Sequence, residues 1–390
     1  MTKLLEIRIR GLRTLADVSL QLGGLTVLIG DNGTGKSTLL EALRIVSLIP
    51  GGRLIDDLSR AHPLASAIRI DGGGLQIDVR FECEGQDYTY ALDLGKDARY
   101  IESETMSDGT AILLRRMGMR VEESAFLDPR KYQTVSGTTS LLQFLSLAPD
   151  TPPPFAALVH LLEGIDSYLP FDVTAVWGKR QRNDKSNVRE PQLVEPGHRL
   201  AMFGDNLVNV YQTLKNDKGT AHWQDTLHYL RLGLGADLKD VMVSAAGGGY
   251  NTLAVEFASI GKIPALHLAD GVLSYLAFIA MFRLDDNRTL LAFDEPETHL
   301  HPSLLARVMT FFDDASTRYP VVLSTHSDRA LDALADPVAS VVVCELDSRH
   351  RTRLRRLDAE QFEKWRVDYL GVGNIRAENQ LESILVEDAE

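Results

Sequence analysis

Residues 30–37 read Gly30-Asp31-Asn32-Gly33-Thr34-Gly35-Lys36-Ser37, a glycine-rich turn that closes on a lysine and a hydroxyl. Glycine lets the backbone curl so that successive N–H groups converge on an anion. Lys36 then supplies a point charge for the β- and γ-phosphates of a nucleotide, and the Ser37 hydroxyl is a ligand for Mg²⁺. Far down the chain, Thr289–Phe293 is a buried-strand run that ends in Asp294-Glu295-Pro296-Glu297. Delivering two adjacent acids on an apolar strand is costly unless a cation or a reaction needs them. Adjacent strand residues face opposite ways, so the two divide the work. Asp294 suits the metal, and Glu295 suits a general base that poises the attacking water. A third buried strand, Tyr319–Leu323, ends in Ser324-Thr325-His326-Ser327, where His326 can reach a γ-phosphate.

These groups need a sheet to carry them. Residues 3–9 and 15–21 alternate between apolar and polar, which predicts two strands, and Leu25–Ile29 predicts a buried one just before the glycine turn. A helix pattern follows from Lys36 to Ser47 and stops at Pro50-Gly51-Gly52, so a helix N-terminus faces the bound anion. Residues 67–120 read as a meander, with strands expected at Ala67–Ile70, Leu75–Glu82, Tyr88–Leu94 and Ala111–Leu114. Helices are expected at Phe155–Glu163, Asn206–Lys215 and Thr220–Leu232, and Gly271–Phe282 is apolar nearly all round, the mark of a buried helix. The polar stretch Gly178–Gly197 reads as a mobile loop carrying Lys179, Arg180, Arg182, Lys185 and Arg189, and Ala377–Glu390 as a loosely held acidic tail.

Composition sets the class. The chain has 390 residues, 44% of them hydrophobic and 24% charged, as expected for a globular protein with a sizeable core. A net charge of −13 disfavours a generally basic nucleic-acid coat protein, although local basic patches remain. Two cysteines, Cys83 and Cys344, make no disulfide framework and suit a reducing compartment. No apolar run approaches the roughly 20 residues that span a bilayer, and Glu6 interrupts any leader-like start. A cytoplasmic location without membrane contact is the expectation.

The motif set Gly30–Ser37, Asp294-Glu295-Pro296-Glu297-Thr298-His299-Leu300-His301-Pro302 and Ser324-Thr325-His326-Ser327 resembles the ABC-type P-loop ATPase superfamily. Within it the chain is most similar to the RecF/SMC-like branch, including bacterial AAA-type ATPases related to the OLD-family ATPase domain. The opening Leu5-Glu6-Ile7-Arg8-Ile9-Arg10-Gly11-Leu12-Arg13 also resembles that branch's first strand and nucleotide-proximal turn, with Gly11-Leu12 where Asn-Phe is usual. The likeness is strong at both ends and weak over 121–235.

The resemblance implies an α/β fold, an ABC-type ATPase head with an antiparallel β subdomain and a helical insertion. Its first lobe would span 1–120, a mostly helical insertion 121–235, and its second lobe 236–390. It implies ATP and Mg²⁺ as cofactors. The nucleotide set would be Arg13, Gly30, Asp31, Asn32, Gly33, Thr34, Gly35, Lys36, Ser37, Thr38, Asp270 and Gly271, and the metal set Ser37, Asp294 and Gln143. Glu295 and His326 would be catalytic. Such heads hydrolyse ATP in pairs, one copy's signature motif closing on the other's nucleotide. The matching residues are Leu268-Ala269-Asp270-Gly271-Val272, with Thr298–His301 as the loop that contacts the second copy. The family has serine at the place of Ala269 and a polar residue at that of Val272, so a hydroxyl donor is missing and slow or partner-stimulated hydrolysis is expected.

The function expected is an ATP-driven switch in DNA repair or anti-phage defence, acting with a separate effector. The stretch after His326 is short and has no acidic metal cluster following a strand, which argues against a fused nuclease. Two alternatives are a non-hydrolysing ATP-gated scaffold, favoured by Ala269 and Val272, and a transporter ATPase subunit, disfavoured by the meander and by Asp270. The basic loop at 179–189 and the arginines of 349–356 leave two readings open, sequence-independent contact with DNA phosphates, or a solvated loop and a salt-bridged helix or strand.

Overall fold

A computed structural model of the chain describes residues 2–52, 54–56, 68–69, 73–96, 98–124, 135–146, 150–174, 188–284, 287–366, 371–378 and 380–386. The first strands are β1 (Thr2–Leu12), β2 (Leu15–Gln21) and β3 (Leu25–Ile29). Helix α1 (Lys36–Ser47) follows the glycine turn. The meander is β4 (Gln76–Cys83), β5 (Gln86–Asp93), β6 (Ser103–Ser107), β7 (Ile112–Met117) and β8 (Arg120–Ser124). With β1 and β2 it forms one antiparallel sheet in the order β2-β1-β4-β5-β6-β7-β8.

Residues 121–235, expected to be mostly helical, carry helices α2 (Leu141–Ser146), α3 (Pro153–Glu163), α4 (Leu207–Asn216) and α5 (Thr220–Leu234). They also contribute β8 to the antiparallel sheet, β9 (Ile165–Tyr168) to a second sheet and β10 (Gln192–Leu193) to a third. The third sheet pairs β10 with β12 (Tyr250–Phe257), which also pairs with β11 (Leu238–Gly247) and β13 (Gly261–Pro264). The chain then runs through α6 (Asp270–Arg283), β14 (Leu290–Asp294), α7 (Pro302–Ser316), β15 (Val321–Ser324) and α8 (Asp328–Asp332). It closes with β16 (Val341–Leu346), β17 (Thr352–Arg356) and two short helices, Ala359–Arg366 and Val372–Ala377.

The sheet that matters for chemistry has the order β17-β16-β3-β15-β14-β9. All of its pairings are parallel except that of the edge strand β17. Parallel strands covered on both faces must be apolar throughout, and β3, β14 and β15 are buried at every residue. Their side chains alternate between two cores. Leu28, Leu290, Ala292, Val322 and Val342 face a core shared with the antiparallel sheet, α1 and α3. Val27, Ile29, Leu291, Phe293, Leu323 and Val343 face the other, under α4 to α7. Helix α6 is buried continuously from Leu273 to Met281 and sets Phe278 against Phe293 at 4.9 Å between ring centres and against Phe171 at 5.0 Å. In such sheets ligands bind beyond the carboxyl ends of the strands. Gly30, Asp294 and Ser324 all lie at that edge.

Three expectations change. Of the proposed strand Ala67–Ile70, Ala67 and Ile70 lie outside the described residues, and Ile68 makes a single bridge to Leu12. Strands β6 and β8 join a meander expected to have neither. Of the acidic end, residues 381–386 are held in place, and residues 379 and 387–390 lie outside the described residues. Leu381–Ile384 forms a turn of 3-10 helix, Ile384 is buried, and Val386 donates its N–H to the Arg356 carbonyl at 3.0 Å.

Candidate functional site

The turn between β3 and α1 is built on glycines with a physical need to be so. Gly30 has φ 140°, and a Cβ there would stand 2.1 Å from the Cys344 carbonyl oxygen. Gly35 has φ 103°, and a Cβ there would stand 2.4 Å from Thr352 Oγ1. That hydroxyl also donates to the Thr34 carbonyl at 2.8 Å, so β17 braces the turn from behind. Gly35 caps α1 without a side-chain hydrogen bond, which leaves first-turn N–H groups for a ligand. Lys36 Nζ turns back onto the carbonyl oxygens of Gly30 at 2.8 Å and Asp31 at 2.9 Å. Burial holds this ammonium below the usual lysine range; the nearby Cys344 thiol opposes the shift and the Arg376 guanidinium adds to it. A buried, partly desolvated cation at a helix N-terminus is a strong anion site.

Ser37 Oγ donates to Asp294 Oδ1 at 3.4 Å across the gap between α1 and β14. These two hard oxygen ligands are what a divalent cation between them would need. The Ser324 hydroxyl, on the neighbouring strand, donates to the same Asp294 oxygen and accepts the Glu295 N–H at 3.2 Å. Glu295 itself takes φ 50°, a left-handed conformation that turns its carboxylate away from the strand direction. Its Oε1 lies 3.8 Å from His326 Nε2. The carboxylate is partly exposed, so water can reach it. Glu297 accepts the His326 backbone N–H at 2.7 Å, tying the turn after β14 to the turn after β15.

The remaining sites fall into place unevenly. Thr34 Oγ1 donates to the Asp31 carbonyl at 2.8 Å, Asn32 and Gly33 form the open tip of the turn, and Thr38 is buried in the first turn of α1. Arg13 sits in the β1–β2 turn with φ 46° and pairs with Glu41 on α1, beside the phosphate loop. Asp270 and Gly271 open α6, whose N-cap, Ala269, is exposed and offers no side-chain hydrogen bond. Gly271 lies against the turn after β14, since a Cβ there would meet the His299 carbonyl at 3.1 Å.

Gln143 is a correction. Its side chain lies on Gly52, past the C-terminal end of α1, where a Cβ would stand 2.1 Å from it. Ser37 is in the first turn of that helix, roughly 15 Å away along its axis. The structure therefore does not bring Gln143 to Ser37 and Asp294. Arg189 is a second correction. Counted from sequence among basic groups open to nucleic acid, it is buried and donates to the carbonyls of Val173 at 2.8 Å and Leu268 at 2.7 Å and to the Asp270 carboxylate. It thus fixes the turn that presents α6. Lys179, Arg180, Arg182 and Lys185 lie outside the described residues. Of the later arginines, Arg351 pairs with Asp347, Arg355 with Glu345 and Glu382, and Arg356 donates to the Ala339 carbonyl. Much of that cluster holds its own chain together.

The sequence alone marked no role at this site for Ser324, Glu297 or Arg376, and marked Arg189 for a different one. The first two stand inside quoted motifs, and their register with Asp294 and His326 was the available signal. Arg189 and Arg376 reach the site from loops and a helix far away in sequence, with no spacing rule to mark them.

Comparison with known proteins gives a family and a fold. Residues 25–332 match the AAA_21 family, described as "AAA domain, putative AbiEii toxin, Type IV TA system". The chain is 30% identical to an OLD nuclease of Thermus scotoductus over 27% of this chain and 24% of that protein, so about a quarter of the nuclease's length is matched. Among solved structures, an Smc head domain with an extended coiled coil bound to the C-terminal domain of ScpA, derived from Pyrococcus furiosus, aligns with a TM-score of 0.55 and 13% identity. That alignment covers 94% of this chain and 99% of the other. An SmcHead bound to the C-winged helix domain of ScpA aligns with a TM-score of 0.53 and 12% identity, over 93% and 99% of the two chains. At such identity the likeness is one of fold, that of an ABC-type P-loop ATPase head. No described helix is long and apolar enough to cross a membrane.

Proposed function

The chain belongs to the AAA_21 family of AAA-domain ATPases, and from that premise we propose that it is a Mg²⁺-dependent ATP-hydrolysing switch that closes as a pair of copies. The observation that carries this reading is the convergence of Lys36, Ser37, Asp294, Glu295 and His326 at the carboxyl edge of one parallel sheet. Lys36 and the first-turn N–H groups of α1 hold the β- and γ-phosphates. Mg²⁺ held by Ser37 and Asp294 would neutralise charge developing on the phosphate oxygens. Glu295 orients a water and takes its proton as the water oxygen bonds to the γ-phosphorus. The bond from that phosphorus to the bridging oxygen breaks, and ADP leaves with the electron pair. His326, facing Glu295, donates to the γ-phosphate as it separates.

The exposed N-terminus of α6 is the surface suited to a second copy's nucleotide. Arg189 holds its turn from inside, and neither Ala269 nor Asp270 is covered. The related OLD nuclease and the toxin–antitoxin description of the family support a setting in anti-phage defence or DNA repair with a separate effector. Sequence-independent DNA contact remains part of this proposal. One observation favours a second reading, a scaffold that binds ATP without turnover: the N-cap of α6 carries a methyl group where a hydroxyl would donate to phosphate.

Light scattering on the Glu295→Gln protein with ATP and Mg²⁺ tests the pairing. A doubled mass with ATP, and a single-copy mass with ADP, is the expected result. A single-copy mass in every nucleotide state would overturn it.

A further inference from the structure

The backbone at His326 is gripped from both sides by charged side chains. Its N–H donates to Glu297 Oε1 at 2.7 Å, and its carbonyl accepts from Arg376 Nη2 at 3.3 Å. Glu297 comes from the turn after β14, whereas Arg376 comes from the helix Val372–Ala377, beyond the stretch that matches the family. That helix is docked closely on α8. Gly373 donates its N–H to Asp332 Oδ1 at 2.9 Å, and a Cβ at Gly373 would stand 2.2 Å from the Asp328 carbonyl. Arg376 Nη1 lies 3.4 Å from Asp328 Oδ1, an ion pair whose two atoms are buried without a well-formed hydrogen bond. A partly buried guanidinium whose Nη1 is enclosed with capacity to spare, one hydrogen bond from the histidine, is poorly explained as packing alone. Its charge is also felt at Lys36, at the start of α1.

We infer that Arg376 is a positioning residue of the ATPase site, holding the His326 carbonyl opposite Glu297 so that the imidazole stays aimed at Glu295. The inference rests on the hydrolytic reading of the site given above. It makes the C-terminal helix part of the machinery, so anything that lifts that helix from α8 slows turnover without emptying the nucleotide site. Lysine cannot reproduce the geometry, because a point charge cannot span the His326 carbonyl and Asp328 as a planar fork does.

The test uses the full chain as wild type, Arg376→Gln, Arg376→Lys, His326→Ala, Glu295→Gln and the double variant of Arg376→Gln with His326→Ala. Arg376→Gln is expected to lower kcat ten- to hundredfold, as misplacing a catalytic group does, with the ATP KM within about twofold. In the His326→Ala background the same change is expected to cost little more, since its effect passes through the missing imidazole. Arg376→Lys should fall between Gln and wild type. Hydrogen exchange without nucleotide provides a readout free of turnover: amides at 325–328 should exchange faster in Arg376→Gln, while those of β3 are unchanged. Multiplicative losses in the double variant, or unchanged exchange at 325–328, would overturn the inference. If Glu295→Gln left turnover intact, the hydrolytic reading would fall instead, and the exchange data would still decide whether Arg376 holds the turn.

Discussion

Replacing Ala269 by serine restores the hydroxyl that the first turn of α6 lacks, and the structure sets two separate magnitudes for it. Ala269 is the N-cap, with φ −65° and ψ 149°, the extended conformation from which a serine oxygen reaches the N–H groups one turn in. Capping by that oxygen is worth about 1 kcal/mol, so the melting temperature of Ala269→Ser should rise by roughly 2 °C. A hydroxyl accepts through its lone pairs and still donates its proton. In a closed pair that proton can go to the second copy's γ-phosphate while the cap stays made. A charge-assisted hydrogen bond contributes about 1.5–3 kcal/mol, and if it acts in the transition state the rate rises roughly ten- to hundredfold. The assay is phosphate release against protein concentration, alongside a thermal melt. The gain should be largest at high concentration, where pairs form. A serine variant that melts higher but turns over no faster at any concentration would refute the placing of α6 on a phosphate.

Three further outcomes follow from packing and charge. Gly30→Ala drives a methyl into the Cys344 carbonyl at a φ that alanine avoids, so both the melting temperature and the binding of a fluorescent ATP analogue should fall, read by calorimetry and titration. Arg288→Met leaves Asp166, buried and joined to Arg288 Nε at 2.6 Å, with the half-exposed Arg199 as its remaining charge partner; breaking such a pair costs about 3–5 kcal/mol, and a urea midpoint shift equivalent to under about 1 kcal/mol would count against it. Burial, reinforced by Arg283, holds the His222 imidazole below its usual range. The unfolded chain then takes up that proton first as pH falls through 6.5, so this group's contribution is full above 6.5 and lost below it. The stability gap between wild type and His222→Gln should therefore narrow from pH 7.5 to 5.5, measured by urea midpoints.

The site was legible where its residues are neighbours in sequence. Gly30–Ser37 sits between a strand buried at every residue and an amphipathic helix, and β3 and α1 start and end where the pattern puts them. Asp294 and Glu295 were readable for the same reason, each being placed by the strand that precedes it. The less regular middle of the chain hid its strands. Ile165-Asp166-Ser167-Tyr168 is too short and too polar to announce a sheet strand, and its buried Asp166 is tolerable only because Arg288 and Arg199 arrive from elsewhere. Strand β6 hid likewise, because Glu104 breaks its alternation. Arg116, Tyr90 and Ser140 supply the partners that let that carboxylate be buried completely. Gln143 was misplaced because its assignment rested on order along the chain, and the chain passes the far end of α1 there.

Hydrolysis at the edge where Glu295 faces His326 is what the proposed function stands on. Its most direct measurement is Mg²⁺-dependent phosphate release by the wild type beside Glu295→Gln, with ATP binding checked in both. A slow rate that rises with protein concentration and disappears in Glu295→Gln, while ATP remains bound, is expected. Equal release by the two proteins, or none from the wild type at any concentration, would contradict it.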